Sequence, residues 1–155
     1  MSTAIHRRVA ALREGKDPTL IARMSSGWAV LGERQVLRGY SLLLPDPVVP
    51  HLNALTGHER ARFLADMTAL GDTLFEVTSA MRINYAVFGN LEPALHAHVF
   101  PRFADEPEAL RTSQPWAYDW SAAPEFDVRV HGVLLERIRE TLNQRGSDAA
   151  ARQST

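Results

Sequence analysis

The most regular patterning in the chain is an apolar stripe at Phe63, Met67, Leu70, Leu74, Val77 and Met81, whose steps alternate between four and three residues. That spacing keeps one face of an α-helix apolar through about six turns. Thr56-Gly57-His58-Glu59 precedes it in the form of a capping box, with Thr at the N-cap and Glu at the third helical position. Arg60, Arg62, Asp66, Asp72 and Glu76 lie mostly off the stripe. A helix over about 58–81 is therefore expected, with a core on one side and solvent on the other.

The surface for it to cover comes as short strands. Trp28–Gly32 and Gly39–Leu44 read as a hairpin, and Pro45, Pro47 and Pro50 stop the second strand. Ile83–Phe88 has the β-branched and aromatic content of a strand. Gly89-Asn90 forms a turn, and Ala94–Phe100 alternates as another strand that Pro101 ends. Residues 3–14 carry Ile5, Val9 and Leu12 on one helical stripe, stopped by Gly15. Asp17-Pro18 reads as an N-cap and first helical position, which predicts a helical turn over Thr19–Met24 before the break at Ser25-Ser26-Gly27. Residues 104–126, with Pro107, Pro115 and Pro124, read as irregular. A last helix is expected over 127–145, with Val130, Leu134, Ile138 and Leu142 inward and Gly146 as its stop. Strands paired as hairpins rather than βαβ units point to an α+β fold, an antiparallel sheet of about five strands with helices on one face.

The length of 155 residues suits one domain, read here as 1–146, followed by a small polar tail at 147–155 expected to be disordered. Lys+Arg of 17 against Asp+Glu of 18 offers none of the basic excess of a nucleic-acid binder. The absence of cysteine excludes disulfides, thiol nucleophiles and Cys-ligated zinc. No apolar run approaches the roughly 20 residues of a membrane span, and the first residues lack a secretory core. The expectation is a cytoplasmic protein with neither nucleic acid nor membrane as partner.

The chemistry concentrates in Ala94-Leu95-His96-Ala97-His98-Val99-Phe100-Pro101-Arg102. In a strand, residues two apart share a face, so His96 and His98 project together with Ala94 and Phe100. Both imidazoles titrate near neutral pH, which suits a nucleophile, a base or an acid. Three uses compete: two surface histidines, two ligands of a metal lacking an evident third (His51 and His58 are the candidates), and nucleophilic catalysis at phosphorus.

At these residues the chain resembles the histidine-triad (HIT) family, in its diadenosine polyphosphate hydrolase-like branch of nucleotidyl hydrolases. The family pattern is three histidines alternating with apolar residues and often followed by Pro-Arg. His96, His98, the alternating apolar positions and Pro101-Arg102 match, while Ala94 stands at the first histidine. Gly39-Tyr40-Ser41-Leu42-Leu43-Leu44-Pro45 resembles the strand that family members place before the long helix, with Tyr40 where they often have His. The resemblance covers about 25–104.

The resemblance implies that His96 attacks the α-phosphorus of a dinucleoside polyphosphate or nucleoside phosphoramidate, and that water then releases the nucleotide from His96. His98 would contact the phosphate and assist the leaving group. Ala94 keeps the main-chain carbonyl that orients the nucleophile's ring. Val30 and Leu42 fall where the family walls the base. Asn84, Asn90 and Arg102 are the candidate phosphate or ribose contacts. Gly32, with Glu33 beside it, stands where an Asp or Asn binds the ribose, and Glu92 would repel phosphate if it pointed inward. No tightly bound metal is expected, a divalent ion arriving with a polyphosphate at most, and a homodimer is implied. Trp116, Tyr118 and Trp120 alternate and would serve the core, a dimer contact or a nucleobase. The alternatives are a nucleotide-binding protein that has lost turnover and, behind it, a metal-binding protein built on the His-x-His pair.

Overall fold

The structure is a computed structural model and describes residues 2–154. Met1 and Thr155, the ends of the expected domain and tail, lie outside the described residues. Helix α1 (Ala4–Arg13) leads to strands β1 (Leu20–Arg23), β2 (Gly27–Leu31) and β3 (Ser41–Pro45). Helix α2 (Gly57–Thr78), strands β4 (Arg82–Val87) and β5 (Ala97–Arg102), a single turn α3 (Glu108–Arg111) and helix α4 (Val128–Gln153) follow. The five strands form one antiparallel sheet in the order β1-β2-β3-β5-β4.

Alternation along the strands builds two unlike faces. Ile21, Ala29, Leu31 and Val99 meet Leu70, Leu74 and Val77 of α2 and Leu134, Leu135, Ile138 and Leu142 of α4. Leu43, Leu95 and Ala97 extend that layer against Phe63. The opposite face carries Val30, Leu42, Leu44 and Phe100, and α1 covers it with Ile5, Val9 and Leu12. Helices thus lie on both faces, not one, because the first twelve residues supply their own apolar stripe.

Several boundaries differ from expectation. Residues 20–23 are a strand rather than a helical turn. Asp17 does cap the segment, accepting from the Thr19 backbone N–H at 2.9 Å. Four residues cannot repay helix nucleation, however, when β2 offers a ladder alongside. The outer edge of β1 is closed by α4, where Arg139 donates to the carbonyls of Leu20 at 2.6 Å and Ile21 at 3.2 Å. Helix α2 has the expected capping box but ends at Thr78, because Ser79 turns left-handed at φ 57°. Met81 therefore leaves the stripe and is exposed. Strand β5 runs through Pro101 to Arg102, since the proline sits in the ladder opposite Ile83 and β5 still pairs there. Its start is Ala97, so Ala94–His96 form the loop leading into it.

Residues 104–126, expected to be irregular, contain α3 and a 3-10 turn at Pro115–Ala117. Helix α4 continues through Gly146 to Gln153, so described residues of the expected disordered tail are helical. Gly146 costs a helix only about 1 kcal/mol, and Gln144 reaches Asp148 across it at 3.1 Å. Val130 is 71% exposed, with Leu135 taking the inward place beside Leu134. Among the described residues no helix is long and apolar enough to cross a membrane.

Leu74 is fully buried between the sheet and α4. Leu74→Ala should lower unfolding free energy by about 2–5 kcal/mol. Val130→Ala should change it by no more than about 0.5 kcal/mol. Urea denaturation of the two variants checks the burial assignment.

Candidate functional site

A row of residues crosses the sheet at its middle. Leu20 pairs with Val30, Val30 with Leu42, Leu42 with His98, and His98 with Ala86. His98 thus sits on the same face as the two expected base-wall residues. His96 lies just before the ladder, in a loop pinned where the Leu95 N–H donates to Val49 O at 2.8 Å. The two imidazoles come together with ring centres 4.8 Å apart and planes at 74°.

His96 is 8% exposed, and its Nδ1 lies 2.7 Å from the carbonyl oxygen of Ala94. A carbonyl only accepts, so Nδ1 carries the proton in this contact. In the neutral ring that leaves the lone pair on Nε2. The backbone at Ala94 performs this orientation whatever the side chain there.

His98 is set among aromatic rings. Phe100 stacks on it at 5.8 Å and 8°, Tyr40 at 6.0 Å and 15°, and Trp116 meets it edge-on at 5.2 Å. Its Nδ1 and the Tyr40 hydroxyl share a hydrogen bond of 2.7 Å. Burial, with His96 adding a smaller repulsion, lowers the pKa of His98 to about 4. His98 is therefore neutral at physiological pH. Burial also raises the Tyr40 phenol well above its ordinary value, so it keeps its proton.

The remaining predicted residues divide. Val30 and Leu42 are buried in the layer under α1 together with Tyr40 and Phe100. Asn84 shares the face of His98 but its Oδ1 accepts from Arg102 Nη1 at 2.8 Å. Arg102 is not brought to the histidines as a free cation. Its Nε donates to Glu106, Nη1 to Asn84 and Ser113 O, and Nη2 to Leu110 O. These contacts occupy the fork, leaving it to anchor the loop after β5 rather than meet a phosphate. Asn90 is exposed on the loop before the histidines. Glu92 turns to the start of α1, where it accepts from the Ile5 N–H at 3.3 Å. Hydrogen bonds from Thr3 and the backbone of Ile5 and Ala4, with a smaller contribution from nearby His96, hold its carboxyl below the ordinary range, so it is tied to the start of α1. Trp116, Tyr118 and Trp120 do not line one strand face. The two indoles stack at 6.1 Å over Phe100, and Tyr118 donates to Glu106 at 2.6 Å.

Sequence reasoning passed over Tyr40 as a functional group and over Phe88, whose ring is 6.4 Å from His98 and 53% exposed. The placement of Tyr40 at a family histidine position was the available signal. His51 and His58 do not join the pair: among the described residues no group of three or more His, Cys, Asp or Glu is placed to hold a metal ion.

No protein-family model matches the chain, and no curated protein matches its sequence. Solved structures do. A histidine triad protein from Sinorhizobium meliloti superposes with a TM-score of 0.69 at 22% identity, over 84% of this chain and 93% of that one. A hypothetical histidine triad nucleotide-binding protein from Sulfolobus tokodaii gives a TM-score of 0.69 at 14% identity, over 88% and 91%. A zinc-bound histidine triad family protein from Mycobacterium smegmatis gives 0.64 at 22% identity, over 89% and 94%. The fold of this chain is the histidine-triad fold.

The unfolded chain protonates a histidine near pH 6.5, whereas folded His98 stays neutral to about pH 4. Unfolded protein thus binds the extra proton between these values. Stability attributable to His98 is full above pH 6.5 and is lost as pH falls towards 4, by roughly 2–3 kcal/mol. His98→Asn should flatten the pH dependence of unfolding free energy in that window relative to wild type. Denaturant titrations at pH 7, 5.5 and 4 measure the difference.

Proposed function

We propose that this chain is a nucleotidyl hydrolase or transferase, acting on dinucleoside polyphosphates or nucleoside phosphoramidates through a nucleotidyl-histidine intermediate. The observation that carries the reading is the orientation of His96. Its Nδ1–H is spent on the Ala94 carbonyl, so that in the neutral ring Nε2 carries the lone pair, beside the neutral imidazole of His98. A neutral imidazole is a good nucleophile at pH 7. Nε2 forms a bond to the α-phosphorus as the bond to the leaving group breaks, and His98 assists the charge developing on the departing group or phosphate oxygen. Water then attacks phosphorus, the P–N bond breaks, and the nucleoside monophosphate leaves with His96 restored. A divalent ion enters only as the counterion of a polyphosphate substrate.

Support comes from the fold and from the survival of the ring-orienting carbonyl despite Ala94. The loop at Gly89-Asn90 is open and Gly89 has a φ of 140°, which suits backbone N–H groups turned towards an anion. A binder without turnover is the second reading, favoured by the commitment of Asn84 and Arg102 to each other.

The homodimer implied by the resemblance has a candidate face. Strand β4 is an edge of the sheet with no outer strand among the described residues, and Met81, Tyr85, Phe88 and Phe75 are exposed along it and on α2. We place the second copy there, edge to edge. Sedimentation should give a dimer, and Tyr85→Arg should shift it to monomer, because a charge on an open edge opposes pairing.

Incubation with a phosphoramidate bearing a fluorogenic amine tests the chemistry. Wild type should release the amine and, when quenched, carry a nucleotidyl mass adduct on His96. His96→Ala should lose the adduct and at least ~10³-fold in rate. Nucleotide binding without amine release or adduct would favour the binder, and wild-type turnover by His96→Ala would overturn the assignment.

A further inference from the structure

Among the described residues, the Tyr40 hydroxyl has one hydrogen-bond partner, His98 Nδ1 at 2.7 Å. The side chain is buried, so a hydroxyl proton left without an acceptor there would be costly. Two arrangements of this bond are possible. If His98 carried its proton on Nδ1 and donated it, the phenol proton would be left without an acceptor in a buried site, which costs about 1–3 kcal/mol. If Tyr40 donates, its proton is satisfied by the imidazole lone pair, the stronger acceptor of the two. His98 then carries its proton on Nε2.

We propose that Tyr40 is a positioning residue that holds His98 as the Nε2–H tautomer, opposite to His96, so that the pair presents one lone pair and one N–H donor to the same substrate. The inference deepens the functional reading above and rests on it for its catalytic meaning, though not for the tautomers themselves. Two identical residues two positions apart are differentiated by their Nδ1 partners. Ala94 O can only accept, whereas the Tyr40 hydroxyl, although able to accept, satisfies its own buried proton only by donating to His98. His96 is thereby the nucleophile and His98 the donor to a phosphate oxygen or leaving group. A neutral donor suits this role here, because burial beside His96 keeps His98 uncharged well below neutral pH.

Gly32 is part of the same device. A Cβ at residue 32 would lie 2.3 Å from Tyr40 Cδ1 and 2.4 Å from Cε1. Real Cβ atoms do not approach so closely, and Tyr40 is held on its other side by Phe100, stacked at 4.3 Å and 7°. The ring at 40 thus needs the absence of a side chain at 32. The position expected to bind a ribose instead gives clearance to the ring that sets His98.

Long-range 15N–1H spectra of histidine-labelled full-length protein at pH 7 read each ring's tautomer directly. Wild type should show His98 protonated at Nε2 and His96 at Nδ1. Tyr40→Phe, which keeps the stack and removes the hydroxyl, should turn His98 into a tautomer mixture while His96 is unchanged. It should also lower kcat roughly 10-fold with KM little altered, a share of the ~10²-fold or more that one acid–base group supplies. Gly32→Ala should shift His98 in the same direction by displacing Tyr40. Wild-type His98 protonated at Nδ1, or an unchanged His98 pattern in Tyr40→Phe, would overturn the proposal, and an unchanged pattern in Gly32→Ala would overturn the clearance argument. Should Tyr40→Phe not fold, the wild-type spectrum decides alone. Expected tautomers without turnover would support Tyr40's role and count against the functional reading, whereas turnover with His98 protonated at Nδ1 would do the reverse.

Discussion

Everything in this molecule hangs on the alternation of one strand. β5 lies inside the sheet, paired on both sides, so its residues must go alternately up and down. Ala97 and Val99 go down into the layer shared with α2, where a polar group would be unsatisfied. His98 and Phe100 go up. That arrangement lets a polar ring be carried on a fully supported backbone, with its position fixed by ladder bonds to β3 and β4 rather than by a loop. The helices cover the lower face of the strand, and the ladder to β3 and β4 fixes the backbone that carries His98. His96 gains the same rigidity differently, from a loop tied to Val49 and from the turn that brings the Ala94 carbonyl under its ring.

The upward face needs a roof, and the chain after β5 provides it through a buried ion pair. Arg102 and Glu106 side chains are both almost fully buried and bond at 3.1 Å. Burial alone would raise the Glu106 carboxyl. The bonds from Arg102, Tyr118 and the Phe103 N–H outweigh it and hold the group below its ordinary range. Arg102 also gathers carbonyls from Leu110 and Ser113, so one guanidinium folds the whole connection back over the sheet. The return places Trp116 and Trp120 against Phe100. Removing one partner of such a pair typically costs about 3–5 kcal/mol, since the other is left charged and buried. Here the cost would fall on the roof of the site, which links a stability device to the aromatic surroundings of His98.

How much of this was legible beforehand follows from the range of the interactions. The capping box at Thr56 and Glu59 and the α2 stripe are local, and their spacing displays them; His96 and His98 do come together, but His96 does so from a loop and not by the expected strand alternation. β1 was not legible, because four residues acquire a strand conformation only from the neighbouring β2. The continuation of α4 past Gly146 was hidden for a similar reason: glycine weakens a helix without ending it. Arg102 and Asn84 looked like phosphate contacts from sequence. Their true partners, Glu106, Ser113 and each other, lie in a loop whose path no pattern reveals. Val30 and Leu42 share the His98 face through the ladder, and nothing local indicated that α1 would pack over them.

Gly32 and Tyr40 show how a departure from a pattern changes meaning once the partner is seen. Taken singly, a glycine where an Asp or Asn is expected and a tyrosine where a histidine is expected both read as erosion of a site. Erosion predicts independent losses, and independent losses leave cavities or unsatisfied groups. Neither is found at this pair: the tyrosine ring occupies the space that a Cβ at 32 would take, it stacks on Phe100, and its hydroxyl is bonded to His98. No buried side-chain polar atom among the described residues lacks a partner. The ring at 40 and the space at 32 fit each other, so the two positions depart from the family pattern as one packed unit. Gly32 and Tyr40 are therefore a coupled pair in the packing around His98 rather than two separate gaps.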